Sequence, residues 1–467
     1  MRQIIEAFEN GKRISDLPDV GDGSPFDYYT EVLDTDGESK KALLASMLPY
    51  TEESCSYGVE FDTTVSDPTC TRIGSTDLHK RCPVQSRMRG CLLNDDGEVV
   101  EYLNPKDWTG HDRSGARGQV MVEIPLHYRK FETEGDKRRV KLSEYPLPGY
   151  HQVPLMYVSA YEAALQRSTS KLCSVVNNDA DFMGGDNTAT NDGDEGKTLL
   201  GRPVTNVNRT NFRTYARNRK DGDTRWNCMT YDAHKTLYWL FVVEYATLNS
   251  QAEYKAELND GYRQGGLGNG VTTLNSTKWS NFNGNYPFIP CGHTDELGNG
   301  TGVKDFTMPT EYGESGKKVS VPRYHGIENP FGHIMKIVDG INVQIQANDS
   351  GGKSKVYVCS DPSKFNDTNY DGYSYVGDAA RTNGWIKEII FGETGDIIPK
   401  EINGNSTQYF CDYFYTTIPS SSELLCISLV GNNANSKANA GFVSSFFNVT
   451  GNHISTSIGS RLCFIPK

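Results

Sequence analysis

Asp367-Thr368-Asn369-Tyr370-Asp371-Gly372 alternates oxygen-bearing side chains ahead of a glycine, with Asp378 at the twelfth position. Such spacing can wrap a hard cation such as calcium. The flanks, Pro362-Ser363-Lys364 and Ala379-Ala380-Arg381, do not read as the helices that would frame a calcium loop. A tight Asn/Asp/Gly turn is the simpler reading, with calcium on Asp367, Asn369 and Asp371 as the alternative; no metal or other cofactor is expected. His325 and His333 flank Gly326-Ile327-Glu328-Asn329-Pro330-Phe331-Gly332 with no third ligand near in sequence, so a packed turn between core strands is expected. Gly265-Gly266-Leu267-Gly268-Asn269-Gly270 lacks the Gly-Lys-Ser/Thr of a phosphate loop. No Gly-x-Ser-x-Gly elbow offers a serine nucleophile. Eleven cysteines are spread without a Cys-x-x-Cys pair, so they read as reduced and mostly buried thiols. No catalytic residue emerges.

The elements that would carry a site are short. With 467 residues, two to four domains fit at ~100–200 residues each. Forty-six glycines and 26 tyrosines favour brief strands joined by turns over a helical bundle. Residues 57–150 alternate apolar runs with turn signals, as in Gln119-Val120-Met121-Val122-Glu123-Ile124. Three helices are expected. Ser159-Ala160-Tyr161-Glu162 has the capping-box pattern for a helix through about Leu172. A second runs from about Asn208 to Arg219. The third spans Tyr231 to Leu248, with Leu237, Leu240, Phe241, Glu244, Tyr245 and Leu248 at helical spacing. Few helices in a loop-rich β chain make an α+β fold. A net charge of −12, with no basic block longer than Asp136-Lys137-Arg138-Arg139, excludes a nucleic-acid partner. No run of ~18 apolar residues exists, so membrane insertion is not expected.

The C-terminal segment differs from the rest. Its 44 residues from Leu424 to Lys467 contain no Asp or Glu although the chain is acidic. Gly431–Ser457 holds six Asn, five Ser and two Thr, with Phe442, Phe446 and Phe447 among them. Adaptable hydrogen-bonding side chains around a few rigid aromatics are the composition of an antibody paratope. An Asn/Ser-rich surface loop has the same composition, and the two readings are even at this level.

The stretch Val430-Gly431-Asn432-Asn433-Ala434-Asn435-Ser436-Lys437-Ala438-Asn439-Ala440-Gly441, closing at Ile458-Gly459-Ser460-Arg461-Leu462-Cys463-Phe464, resembles the variable region of proteins targeted by diversity-generating retroelements. More broadly the chain is similar to phage and prophage proteins with a C-type lectin fold of the formylglycine-generating-enzyme type. Further matching stretches are Tyr57-Gly58-Val59-Glu60-Phe61-Asp62, Met121-Val122-Glu123-Ile124-Pro125, Gly201-Arg202-Pro203-Val204, Gly326–Gly332 and Tyr409-Phe410-Cys411-Asp412-Tyr413-Phe414. The resemblance runs in order over about residues 57–467. It implies a rigid scaffold that displays variable side chains to a ligand. Matched by position, those side chains are Asn433, Asn435, Ser436, Ser444, Phe446, Phe447, Val449, Asn452, His453, Ser455 and Ser457. Two departures stand out: Asn432 replaces the second glycine of a Gly-Gly pair, and Lys437 stands where glycine is common.

The resemblance thus implies a tail-tip receptor-binding protein of a virion, made in the host cytoplasm, with a host cell-surface protein or glycan as ligand. Other phage tail proteins and a homotrimer would be its structural partners. Residues 1–50 would anchor or oligomerise, 51–150 would form a β-rich first part, and 151–467 would form the lectin-like domain, with its binding region at about 426–467. A structural tail or capsid decoration protein is the alternative. A cysteine-oxidising enzyme of the formylglycine-generating type is a further one, although Cys411, Cys426 and Cys463 lie 15 and 37 residues apart and form no close pair. Deletion of residues 1–50 is expected to leave a melting transition intact while abolishing incorporation into particles. A misfolded remainder would overturn the anchoring role.

Overall fold

Met335–Gln346 is a strand of 12 residues whose side chains are buried on both faces through most of its length. A strand buried on both sides must sit inside a sheet that is itself covered. The computed structural model describes residues 51–187, 198–254, 287–307, 318–434 and 436–466, plus the backbone of a hairpin, Tyr29–Leu33 with Ser39–Leu43. The segment Gly265–Gly270 and residue Asn435 lie outside the described residues, as does the rest of 1–50.

The long strand pairs antiparallel with Ser354–Val358 on one side and Glu423–Val430 on the other. From there a nine-stranded sheet continues through Ser445–Phe447, Tyr413–Thr416, Gly384–Ile390 and Ile398–Ile402. Ser374–Asp378 forms its far edge, and Ile458–Gly459 joins the start of the long strand in parallel. A six-stranded sheet takes Arg89–Leu93, Val99–Tyr102, Gln119–Ile124, Met156–Ser159, Trp226–Cys228 and Leu462–Phe464, so it draws on both sides of residue 150. A five-stranded sheet holds Ser56–Asp62, Thr71–Gly74, His127–Glu134, Lys137–Ser143 and His151–Val153. Strand accounts for 36% and helix for 16%, which makes the fold mixed but strand-rich with several sheets.

Helix Tyr231–Tyr245 is buried almost all round, as a helix enclosed by other elements must be. The Thr230 hydroxyl caps its start by accepting from the Ala233 amide, and Ala246 ends it in the left-handed region at φ 53°. Trp239 anchors it among Phe61, Phe131 and Phe391, with ring centroids 5.5–6.4 Å apart. Helix Arg209–Arg217, capped by Asn208, turns Arg209 and Arg213 inward. Both helices fall where the periodicity puts them.

The helix expected from Ser159 to Leu172 does not form. Ser159 ends a strand, and Ala164–Gln166 pairs with Lys171–Cys173 as a hairpin in which Leu165 faces Leu172. The capping box fails because its two ends are engaged elsewhere. The Ser159 hydroxyl donates to the Tyr161 carbonyl at 2.6 Å and accepts from the Leu462 amide at 3.1 Å. Glu162 points into the core, where Lys336 Nζ lies 2.8 Å from its carboxylate and His333 Nδ1 binds it as well.

Three polar residues of the long strand are fully enclosed, and each has found a partner on another element. Lys336 meets Glu162. Asp339 accepts from Arg213 at 2.6 and 3.1 Å. Asn342 accepts from Arg209 at 2.6 Å, while Arg209 Nη1 donates to the Ile341 carbonyl at 2.8 Å. Buried charges persist only when paired and hydrogen-bonded in this way. Asp339→Ala leaves Arg213 with Asp367 as its one remaining carboxylate and is expected to lower stability in urea unfolding by up to about 3–5 kcal/mol.

Candidate functional site

In strand Tyr413–Thr416 burial alternates, so Phe414 and Thr416 face inward while Tyr413 and Tyr415 face outward, half-buried. The neighbouring strand Ser445–Phe447 repeats the pattern with Phe446 outward and Phe447 inward. Period-two alternation is what a pleated strand imposes. Register then aligns the outward residues: Trp385 lies opposite Tyr413, and Tyr415 opposite Phe446. The four rings form a row with centroids 5.3, 4.6 and 4.3 Å apart, the last pair stacked at 10°. Phe446 also packs on the cluster of Ile427, Leu429 and Ile458, which holds that end of the row down.

The loop after Glu423–Val430 sits beside this row. Gly431 and Asn432 both have positive φ, 83° and 59°, and Lys437 stands at 55°. Both departures from the glycine pattern thus occupy left-handed backbone, which asparagine tolerates better than most residues. Asn432 is buried; its Nδ2 donates to Ser444 Oγ at 3.2 Å, and its Oδ1 accepts from the Asn433 amide and from the Ser436 hydroxyl. Asn439 Nδ2 donates to the Tyr415 hydroxyl at 2.8 Å and so ties the loop to the aromatic row.

The expected site residues divide by exposure and by neighbour. Asn433, Ser436 and Phe446 are half-buried; Phe446 belongs to the row just described, and Asn433 and Ser436 are hydrogen-bonded to Asn432 in the loop. Asn452 and His453 are exposed, and Ser455 and Val449 half-buried. Their stretch is held by other elements: the Gly451 carbonyl accepts from the Arg209 amide, and the Ser455 carbonyl from the Asn206 amide. Ser444, Phe447 and Ser457 face inward. Ser444 donates to the Tyr413 carbonyl at 2.9 Å, Phe447 packs edge-on against Phe414, and Ser457 lies 3.0 Å from Ser455 by their hydroxyls. These three support the face and do not reach solvent from it. Trp385, Tyr413 and Tyr415 were not singled out from the sequence. The alternation Tyr413-Phe414-Tyr415 carried the signal for two of them, whereas nothing local marks Trp385.

Under the loop lies a carboxyl group with no cation beside it among the described residues. Asp412 is fully enclosed; its Oδ2 accepts from the Val443 amide at 2.8 Å and the Ser250 hydroxyl at 3.1 Å. Burial pushes its pKa up to about 7, against the lowering effect of those hydrogen bonds. Gly441 is required next to it, since a Cβ there would meet Asp412 Oδ1 at 1.9 Å.

The other chemistry-bearing residues have structural partners. Asp367 binds Arg209, Arg213 and the Thr210 hydroxyl; burial raises its pKa, but the two arginines outweigh it and hold the group below its ordinary value. The Asn369 side chain accepts from the Asp371 amide at 2.9 Å. The Asp367–Asp371 stretch is therefore an asparagine-built turn docked on a helix, and calcium would have to displace two guanidinium groups from Asp367. His333 Nε2 accepts from the Phe288 and Ile289 amides, so its proton resides on Nδ1 and is donated to Glu162. His325 Nε2 lies 3.0 Å from both oxygens of Glu244. All eleven cysteines are free and ten are buried, with burial pushing Cys426 and Cys463 up to about 12. Such thiols stay protonated and are poor nucleophiles near neutrality.

No protein-family model matches this sequence, and no curated protein matches it.

Asp412 gives the fold a pH signature. Its folded pKa lies above its unfolded value, so the folded state binds the extra proton between about pH 4 and 7, and stability falls as pH rises through that window. Asp412→Asn keeps an acceptor for Val443 and Ser250, and is expected to flatten that part of the stability–pH curve measured by urea titration. An unchanged slope would assign the proton elsewhere, for example to Glu328, which burial also raises to about 7.

Proposed function

We propose that this chain is a receptor-binding protein of a phage tail, with a C-type lectin fold of the formylglycine-generating-enzyme type. It recognises a host cell-surface protein or glycan through its C-terminal face. The observation that carries the reading is the row Trp385, Tyr413, Tyr415 and Phe446, tied through Asn439 to the loop that holds Asn433 and Ser436. Aromatic anchors with amide and hydroxyl neighbours give contact area at small entropic loss and adaptable polar contacts around it. The absence of acidic residues from Leu424 onward keeps like-charge repulsion from an anionic cell surface away from this face. The lectin-like fold is supported by the way Leu462–Phe464 returns to pair antiparallel with Met156–Ser159, which closes the chain on itself behind the displayed loop.

In this reading the protein is a binder and not an enzyme, resides at the tail tip of the virion, and acts as a trimer joined to other tail proteins. Several weak sites on one particle would add through avidity. The buried, protonated cysteines give the cysteine-oxidising alternative no activated thiol.

Binding of the full chain to a panel of host cells tests this. A variant with alanine at Asn433, Ser436, Tyr415 and Phe446 is expected to lose at least ~tenfold in affinity, as removal of anchor residues does. Phe447→Ala, by contrast, is expected to lower the melting temperature, since it removes a core ring. Equal binding by the fourfold variant and the unaltered protein would move recognition elsewhere. No binding by either across the panel would favour a purely structural tail or capsid role.

A further inference from the structure

A cavity of about 430 Å³ opens between the edge strand His151–Val153, its neighbour His127–Glu134 and the first turns of helix Tyr231–Tyr245. None of its lining residues belongs to the C-terminal aromatic face. A volume of this order is within the range that holds a small molecule. Much of the wall is apolar, with Phe131, Val153, Met156 and Ile465 contributing.

Arg129 stands in this wall without an ion-pair partner among the described residues. Its Nη1 donates to the neutral Thr236 hydroxyl at 3.0 Å, and its guanidinium lies 5.4 Å from the centre of the Phe131 ring. The other wall cation is already matched: Lys235 Nζ is 3.0 Å from Asp396 and 3.5 Å from Asp232. Asp232 and Asp396 act on Arg129 only through their field, and Glu393 and His151 lie at the exposed margin. An arginine keeps its charge in any protein environment, so a half-buried guanidinium without an ion pair favours any oxyanion that can reach it. Thr236 has its own hydroxyl proton left to donate beside it.

We propose that this cavity binds a small carboxylate with an apolar body. The carboxylate accepts from Arg129 and Thr236, and the body lies against Phe131, Val153 and Met156. Charge-assisted hydrogen bonds of this kind are short and strong, and they discriminate against neutral analogues that cannot supply the second acceptor. The site is independent of the proposed host-binding face.

Calorimetric titration of the full chain with benzoate, its neutral isostere benzamide and inorganic phosphate tests it. Benzoate is expected to saturate the protein and to bind at least ~tenfold tighter than either of the others. Arg129→Gln is expected to erase the preference for benzoate over benzamide. Gln152→Trp, a change at an exposed residue of the margin, is expected to weaken benzoate at least ~tenfold with an unchanged melting temperature, and it keeps the test valid if Arg129→Gln fails to fold. Three results overturn the proposal. They are no saturation by benzoate up to about 10 mM, undiminished binding in either variant when folded, and phosphate binding as tightly as benzoate, which would make the site a general anion hole.

Discussion

Everything in the large sheet hangs on satisfying three polar side chains that the long strand carries into a dry interior. Lys336, Asp339 and Asn342 are each nearly or fully inaccessible to solvent. Their partners come from two elements: the turn at Glu162, and the flanking helix, which supplies Arg213 and also Arg209 reaching on to Asp367. An apolar strand could slide or repack against its neighbours, whereas a strand with fixed ionic appointments has one register. The irregularity between Val338 and Val343 in its pairing with Glu423–Val430 falls on this stretch, where the backbone departs from the regular ladder. Neutralising these charges therefore fixes both the sheet and the elements that lean on it.

Arg461 does the same for the C-terminal segment. Its guanidinium donates to the Ser159 and Asn329 carbonyls at 3.1 and 2.6 Å, and to the Glu328 carbonyl as well. The turn flanked by His325 and His333 is thereby locked against the last strands of the chain. The loop after Val430 is held at both ends by buried hydrogen bonds: Asn432 to Ser444 at one end, Arg461 at the other. Outward and inward residues alternate within this one segment, so under the proposed function contact with a ligand and support of the fold would fall to different side chains.

Part of this was legible in the residues. Helices Arg209–Arg217 and Tyr231–Tyr245 followed from periodicity, because each keeps its pattern whatever surrounds it. The strand-rich, turn-rich character followed from glycine and tyrosine usage. The hairpin at Ala164–Cys173 did not, since Glu162 answers to Lys336, a residue far away in sequence, and no local rule reports that demand. The site was half legible for a similar reason. Composition marks the segment 426–467, but the facing of Ser444, Phe447 and Ser457 is set by pairing with Tyr413–Thr416 and by neighbours such as Ser455. Trp385 joins the aromatic row only through sheet register, which a linear pattern does not contain.

The strand Leu462–Phe464 lies between Met156–Ser159 and Trp226–Cys228 and is not at the edge of its sheet. Both neighbours are made long before it, so during synthesis they emerge with a gap between them that nothing local can fill. The six-stranded sheet closes only when residue 464 has left the ribosome, and loop closure over such separations is slow. Folding is consequently a late, whole-chain event. A chain that stops short of this strand leaves Met156–Ser159 and Trp226–Cys228 each with an open edge, so the six-stranded sheet is complete only in chains that carry Leu462–Phe464.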